Sequence, residues 1–424
     1  MAARRCHWSF IGLSSMLAAL LSACSQTGPS LPRVLRVARS TSDPGDLNVD
    51  ETVRSRRVIK QVQALVQEFD PGLHLHPSSF SEANLQREIA RQTNSGLGPD
   101  LIITNGNSAL ALLHNKLTDP ISLSAEERTQ ISSLALNRIT TAEGQIAGLP
   151  VSQYVQLACY DKRRLPEPPE SLDALAKASG KGKVFGLAMH LEDLYWTLGG
   201  FEATAALQMM LDRGSPSIEN KRRLNAWLGW LQNASFQQNV LFLNNQVDLR
   251  EQLIKGQLDW ITCWSSQLPQ LRTALKENLG VTTLPSGPIG KATPITRMQV
   301  WALGRNSSSR QRADSLRLLA FMVEPWAQKT LSLKYRTSFP INPKVMPIVQ
   351  RQLATERHLD PAQLELGLTD KPSTHHGNAL LSAISSDPRR MTEVGNVLNN
   401  VIFGTLNTKE ASMALEQALA GAKP

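Results

Sequence analysis

Two stretches of this chain put carboxylates and aromatic rings side by side where a strand-like run gives way to a loop. His190-Leu191-Glu192-Asp193-Leu194-Tyr195-Trp196 follows the apolar segment Val184 to Met189. Asp259-Trp260-Ile261-Thr262-Cys263-Trp264-Ser265-Ser266 alternates apolar and polar, then ends in an aromatic and two hydroxyls. A sugar ring offers apolar C–H faces and a rim of hydroxyls, so aromatic planes flanked by carboxylates, amides or arginine are the groups that could hold one. Trp227 and Trp230, at i and i+3 beside Leu224 and Leu231, read as packing residues instead.

Catalytic chemistry has no comparable support. The chain carries no Gly-Lys-Ser/Thr phosphate loop, Gly-x-Ser-x-Gly elbow or His-Glu-x-x-His zinc helix. His74-x-His76 and His375-His376 lack the further ligands that a metal site needs, and Tyr154, Tyr160, Tyr195 and Tyr335 show no paired spacing for ferric binding. No metal, no cofactor and no enzyme activity are expected.

These residues need a scaffold. Val34 to Arg39 reads as a short strand, and Val58, Val62, Leu65, Val66 and Phe69 recur at helical spacing until Asp70-Pro71-Gly72. Leu73 to Leu75 starts a second strand, Leu85 to Gln92 a second helix, and Leu101 to Ile103 a compact third strand. Alternating strands and helices give an α/β lobe with a largely parallel sheet, whose ligands sit at the carboxyl ends of the strands. The small polar loops Ser40 to Asp43 and Asn105 to Ser108 fall there, which makes Ser40, Asp43, Asn105 and Asn107 candidates for ligand binding. The same residue types also serve as ordinary caps and turns.

The chain has 424 residues and a formal net charge of +9. Its basic residues are dispersed, so no continuous groove for nucleic acid is expected. Arg4 and Arg5 precede the apolar run Phe10 to Leu21, which is short of the ~20 residues needed to span a bilayer and reads as an export signal. Leu21-Ser22-Ala23-Cys24 resembles a lipobox, implying cleavage after residue 23 and lipid on Cys24. Residues 24–33 would then be a flexible tether, and two lobes are expected in the roughly 400 residues that remain. Cys159 and Cys263 lie in apolar segments in an oxidising compartment. They either pair or stand as two buried thiols, the plainer reading.

In order and spacing, several short segments together resemble the carbohydrate-binding family of extracellular solute-binding proteins that serve ABC importers. They are Ser95-Gly96 with Pro99-Asp100-Leu101-Ile102, Gly148-Leu149-Pro150, Tyr160-Asp161-Lys162, and Pro168-Pro169 with Ser171-Leu172. Gly256-Gln257-Leu258-Asp259, Val281 to Pro285 with Gly287, and Phe339-Pro340-Ile341-Asn342 continue the series, and Val397 to Gly404 reads like the family's last helices. The resemblance implies a type II periplasmic-binding-protein-like α/β fold, with two mixed sheets flanked by helices and joined by a three-segment hinge. The lobes would comprise residues 34–150 with about 290–308, and 151–289 with about 310–424. Crossings are expected near Pro150 to Val155, near Leu284 to Gly290, and after Gly304.

By the same resemblance, Asp193 and Tyr195 would contact sugar, with Trp196 next in line, Trp264 would stack on it beside Ser265, and Tyr154 and Arg297 would fall in the cleft. The first loop lacks an aromatic and the Asn105 loop lacks a carboxylate, which suits a ligand smaller or less hydroxylated than a long maltodextrin. The expected function is capture of a sugar, oligosaccharide or sugar-like compatible solute for an ABC importer permease by a monomeric lipoprotein of the cell envelope. The alternative is a two-lobed envelope lipoprotein that acts as a sensory or structural partner without transport.

Overall fold

The computed structural model describes residues 33–41, 52–334, 339–355, 372–385 and 387–420. Cys24, the leader and tether around it, Asp43 and Tyr335 lie outside them.

The described strands are β1 (Arg33–Thr41), β2 (Leu73–Ser81), β3 (Leu101–Asn105), β4 (Thr118–Asp119), β5 (Leu149–Asp161) and β6 (Phe185–Ala188), followed by β7 (Val240–Leu243), β8 (Trp260–Trp264), β9 (Leu279–Thr282), β10 (Thr296–Gly304) and β11 (Phe339–Pro340). Their main path runs β2-β1-β3-β10-β5-β8-β6-β7. The parallel trio β2-β1-β3 is closed by antiparallel β10, and parallel β8-β6-β7 by antiparallel β5, so both halves are mixed. Leu35 and Val37 of β1 point into one core and Ala38 into another, so both faces of the strand are covered at its middle. β2 runs on past Leu75 through Pro77, a residue tolerated because the strand is the edge of its sheet.

β5 carries the chain from one half to the other. Its residues up to Val155 pair with β10, and from Gln156 onward it pairs with β8 and β9. The first crossing therefore falls at the end of the segment Pro150 to Val155, and the second lies between β9 and β10. Cys159 on β5 and Cys263 on β8 are bonded to each other with Cα atoms 5.9 Å apart, so they are not two free thiols. Their register explains it, since Leu157 faces Cys263 and Cys159 faces Ile261 on adjacent antiparallel strands.

The helices that flank these sheets include α1 (Gly106–His114), α2 (Leu191–Gly200), α3 (Ser309–Val323) and α4 (Pro372–Ser385). The expectation that residues after about Arg310 rejoin the second lobe fails for α3. Leu318, Leu319, Phe321, Met322 and Val323 are buried with Val37, Leu101 and Trp301 in the first core, and Phe321 stacks on Phe69 at 4.2 Å. An amphipathic helix buries its apolar face against the nearest sheet, and after β10 that sheet is the first one. Leu380, Leu381 and Ile384 of α4 are the residues that join the second core, alongside Trp227 and Trp260. No helix among the described residues is long and apolar enough to cross a membrane.

Candidate ligand cleft

Between the two halves lies a cleft of ≈ 330 Å³. From the first half it takes the ends of β1 (Arg39, Ser40, Thr41) and β3 (Thr104, Asn105), the start of α1 (Gly106, Asn107, Ser108), Glu82, Arg138, and Arg297 to Gln299 of β10. Tyr154 comes from β5; Glu192, Ser266 and Ser382 come from the second half. Strand ends and a helix N-terminus thus face the opening, where backbone N–H groups are least satisfied.

Local chemistry sets these side chains. Asn105 caps α1 by accepting from the Ser108 N–H at 2.8 Å, while its amide donates to Glu82. The cap reading and the cleft reading of this loop are both met by one residue. Asn107 reaches the other half, donating to Ser385 Oγ at 2.8 Å. Ser40 Oγ donates to Thr104 Oγ1 at 3.0 Å. Arg297 and Tyr154 face each other across the β10–β5 ladder, and Gln299 faces Asn105 across β10–β3.

Beneath the opening is a charged cluster. Arg297 donates to both carboxylate oxygens of Glu192, at 2.8 and 2.7 Å, and its guanidinium lies 4.3 Å above the Trp264 ring. Asp193 Oδ1 sits 3.9 Å from Arg297 Nη2 and accepts from Trp264 Nε1 at 2.9 Å and from Gln246 Nε2 at 3.1 Å. Gln156 of β5 fixes the start of α2 by donating to the carbonyls of Glu192 and Asp193 at 3.0 and 3.2 Å. Burial alone would raise the Glu192 pKa, but the charge and hydrogen bonds of Arg297 outweigh it and hold the carboxyl below its usual range. For Asp193 burial wins, and the pKa rises. Burial opposes the charge on Arg297, yet Glu192 and Asp193 raise its pKa nonetheless. Tyr154 is raised by burial as well.

Of the predicted residues, Ser40, Asn105, Asn107, Tyr154 and Arg297 line the cleft, and five others do not. Trp264 is 2% exposed beneath Arg297, so its ring face is covered by a guanidinium. Asp193 is the buried acceptor for that indole. Tyr195 and Trp196 are fully buried in the second core, where burial pushes the Tyr195 hydroxyl up to about 12. Ser265 accepts from the Val155 N–H at 3.0 Å and so steadies the crossing strand. In two places the neighbour in sequence lines the cleft instead, Glu192 for Asp193 and Ser266 for Ser265. Glu82 escapes a sequence reading because β2 runs on to Ser81, past the expected strand, so that Glu82 opens the next helix at a strand end; Arg138 follows the short helix Ser133–Asn137, which carries no such signature.

Among the described residues, no group of three or more His, Cys, Asp or Glu is placed to hold a metal ion.

The fold is similar to several solved receptors. The GacH receptor of Streptomyces glaucescens GLA.O, solved unliganded and with acarbose, aligns with a TM-score of 0.66 at 13% identity over 91% of this chain and 97% of that one. The maltose/maltodextrin-binding domain MalE of Bdellovibrio bacteriovorus, bound to maltotriose, gives 0.66 at 13% identity over 91% and 98%. An ABC transporter solute-binding protein of Thermotoga lettingae TMO, bound with α-D-tagatose, gives 0.64 at 15% identity over 92% and 99%. Comparison with curated protein sequences found no match. Residues 67–356 match the model of a family described as bacterial extracellular solute-binding protein, a family of binding proteins and not of enzymes, and the chain belongs to that family.

Proposed function

We propose that this protein captures a sugar, short oligosaccharide or sugar-like compatible solute between its lobes and delivers it to an ABC importer as a monomer tethered through lipid on Cys24. The observation that carries the reading is the composition of the cleft. Ser40, Thr104, Asn105, Asn107, Ser108 and Gln299 supply hydroxyls and amides, Glu82 an acceptor and Arg138 a donor, while Tyr154 is the one aromatic among the described lining residues. Such a lining matches a polyhydroxylated ligand through hydrogen bonds, with little stacking. Its volume stands near the lower end of the ~300–1,000 Å³ usual for small-molecule sites, which favours one or two rings over a long chain. The carbohydrates held by the structural neighbours are in keeping with this class.

A lipid tether would hold the protein at the membrane and raise its effective concentration at a permease there. Replacing Cys24 by Ser is expected to release the protein into the soluble fraction and lower uptake of its solute while leaving affinity unchanged. Lipid chains contribute ~0.8 kcal/mol per buried methylene, so the unlipidated form has no comparable hold. Retention of the C24S protein in the membrane fraction would contradict the tether.

A further inference from the structure

We infer that the solute carries a carboxylate and that Arg138 receives it, an inference that rests on the receptor reading above. Arg138 lines the cleft and also a recess of ≈ 40 Å³ behind it, closed by Asn107, Thr296 and Ser385. Both terminal nitrogens are bound to one residue, with Nη1 donating to Thr296 Oγ1 and Nη2 to the Thr296 carbonyl, each at 3.0 Å. Thr296 is itself fixed, since its N–H donates to Asn378 Oδ1 at 3.0 Å and its hydroxyl accepts from Asn378 Nδ2 at 2.8 Å. The guanidinium plane is therefore set in advance by neutral acceptors.

What the guanidinium lacks among the described residues is a carboxylate bonded to it. Nε is buried and has no hydrogen-bond partner, and no described carboxylate forms an ion pair with Arg138. The acid that acts on it electrostatically is Glu192, and both oxygens of Glu192 are already engaged by Arg297. Glu82, the other acid of the cleft, accepts from Asn105. Burial pushes the Arg138 pKa down to about 10, which still leaves the group charged at neutral pH.

A desolvated guanidinium whose nearest acid is already paired to another arginine is poorly compensated, and hydroxyls of a neutral sugar relieve it little. A carboxylate on the remaining terminal N–H groups, those that Thr296 leaves free, would add charge-assisted bonds. The ligand class is accordingly a sugar acid of one or two rings, with its hydroxyls on Asn105, Gln299 and Ser40.

Calorimetric titration of the purified protein with matched pairs tests this: D-glucuronate against D-glucose, and D-galacturonate against D-galactose. At least one acid should bind about tenfold or more tightly than its neutral partner. Arg138→Gln should bring that ratio within about threefold, and Arg138→Lys should retain part of it. Equal or tighter binding of the neutral sugars overturns the inference and leaves the receptor reading intact. No binding of any member counts against both. An acid preference that survives in R138Q overturns the role of Arg138, and the wild-type comparison stands even if that variant does not fold.

Discussion

Arg297 of β10 and Glu192 of α2 are joined by two hydrogen bonds of 2.8 and 2.7 Å across the boundary between the lobes. The bond ties the strand that returns to the first lobe to the first turn of a helix in the second. Gln156 reinforces the same junction from the crossing strand β5. The lobes thus meet at a charged contact that forms part of the cleft wall.

Arg297→Met is expected to cost stability on the order of 2 kcal/mol, because Glu192 loses two charge-assisted bonds and Asp193 its nearest cation. Urea unfolding would show a lower midpoint. An unchanged midpoint would mean the contact is a surface pair of negligible net worth.

The same pair sets a pH dependence. The folded pKa of Glu192 lies below its ordinary value, so its contribution to stability is present above the unfolded carboxylate range, near 4.3, and is lost as pH falls through the folded pKa. Asp193, whose pKa is raised, acts in the opposite sense, favouring the fold at low pH and opposing it as pH rises through its own folded value. Comparing melting temperatures of wild type and Glu192→Gln reads the first effect, together with a smaller relief of the charge that Glu192 places on Asp193. The gap between them should narrow from pH 7 to pH 3.5; a constant gap would contradict the assignment.

Trp264 has a structural role beneath the cleft. Trp264→Phe keeps most of the buried volume and removes the indole N–H from Asp193, a loss of about 1–3 kcal/mol. Trp264→Ala adds a cavity and should cost about 3–5 kcal/mol. Chemical denaturation of the two variants checks the order; equal stability of W264A and wild type would place the ring outside the core.

Reducing the Cys159–Cys263 bridge should lower the melting temperature markedly. It closes a loop of 104 residues in sequence, for which the chain-entropy model gives about 4–5 kcal/mol. A calorimetric scan with and without reductant reads this directly, and coincident transitions would argue against the bond.

The strand-end rule makes part of the site legible. Ser40 and Asn105 stand out in the sequence because small polar residues follow short apolar strands, and β1 and β3 do end there. Consecutive residues are harder to tell apart. Glu192 and Asp193 open the same helix, where successive side chains diverge by about 100°, and nothing local says which one faces the opening. Trp264 shows the same limit at a larger scale: an apolar-polar alternation identifies β8, but the covering of its ring depends on Arg297, which arrives from a different strand. Helix α3 falls to the wrong lobe in a sequence reading because its apolar face suits either core, and only tertiary packing against Phe69 and Trp301 decides. Cys159 and Cys263 cannot be paired from sequence because the register between β5 and β8 is not encoded locally.

Binding of a polar solute between the lobes, on Asn105 and Gln299, underlies everything proposed for this receptor. Isothermal titration of wild type and the Gln299→Ala and Asn105→Ala variants, against neutral and acidic sugars and compatible solutes, tests it most directly. At least one polyhydroxylated solute should bind one-to-one and be weakened about tenfold or more in each variant, with N105A also losing about 1 kcal/mol of stability with its helix cap. Absence of binding by every such solute, or affinity unchanged in both variants, would contradict it.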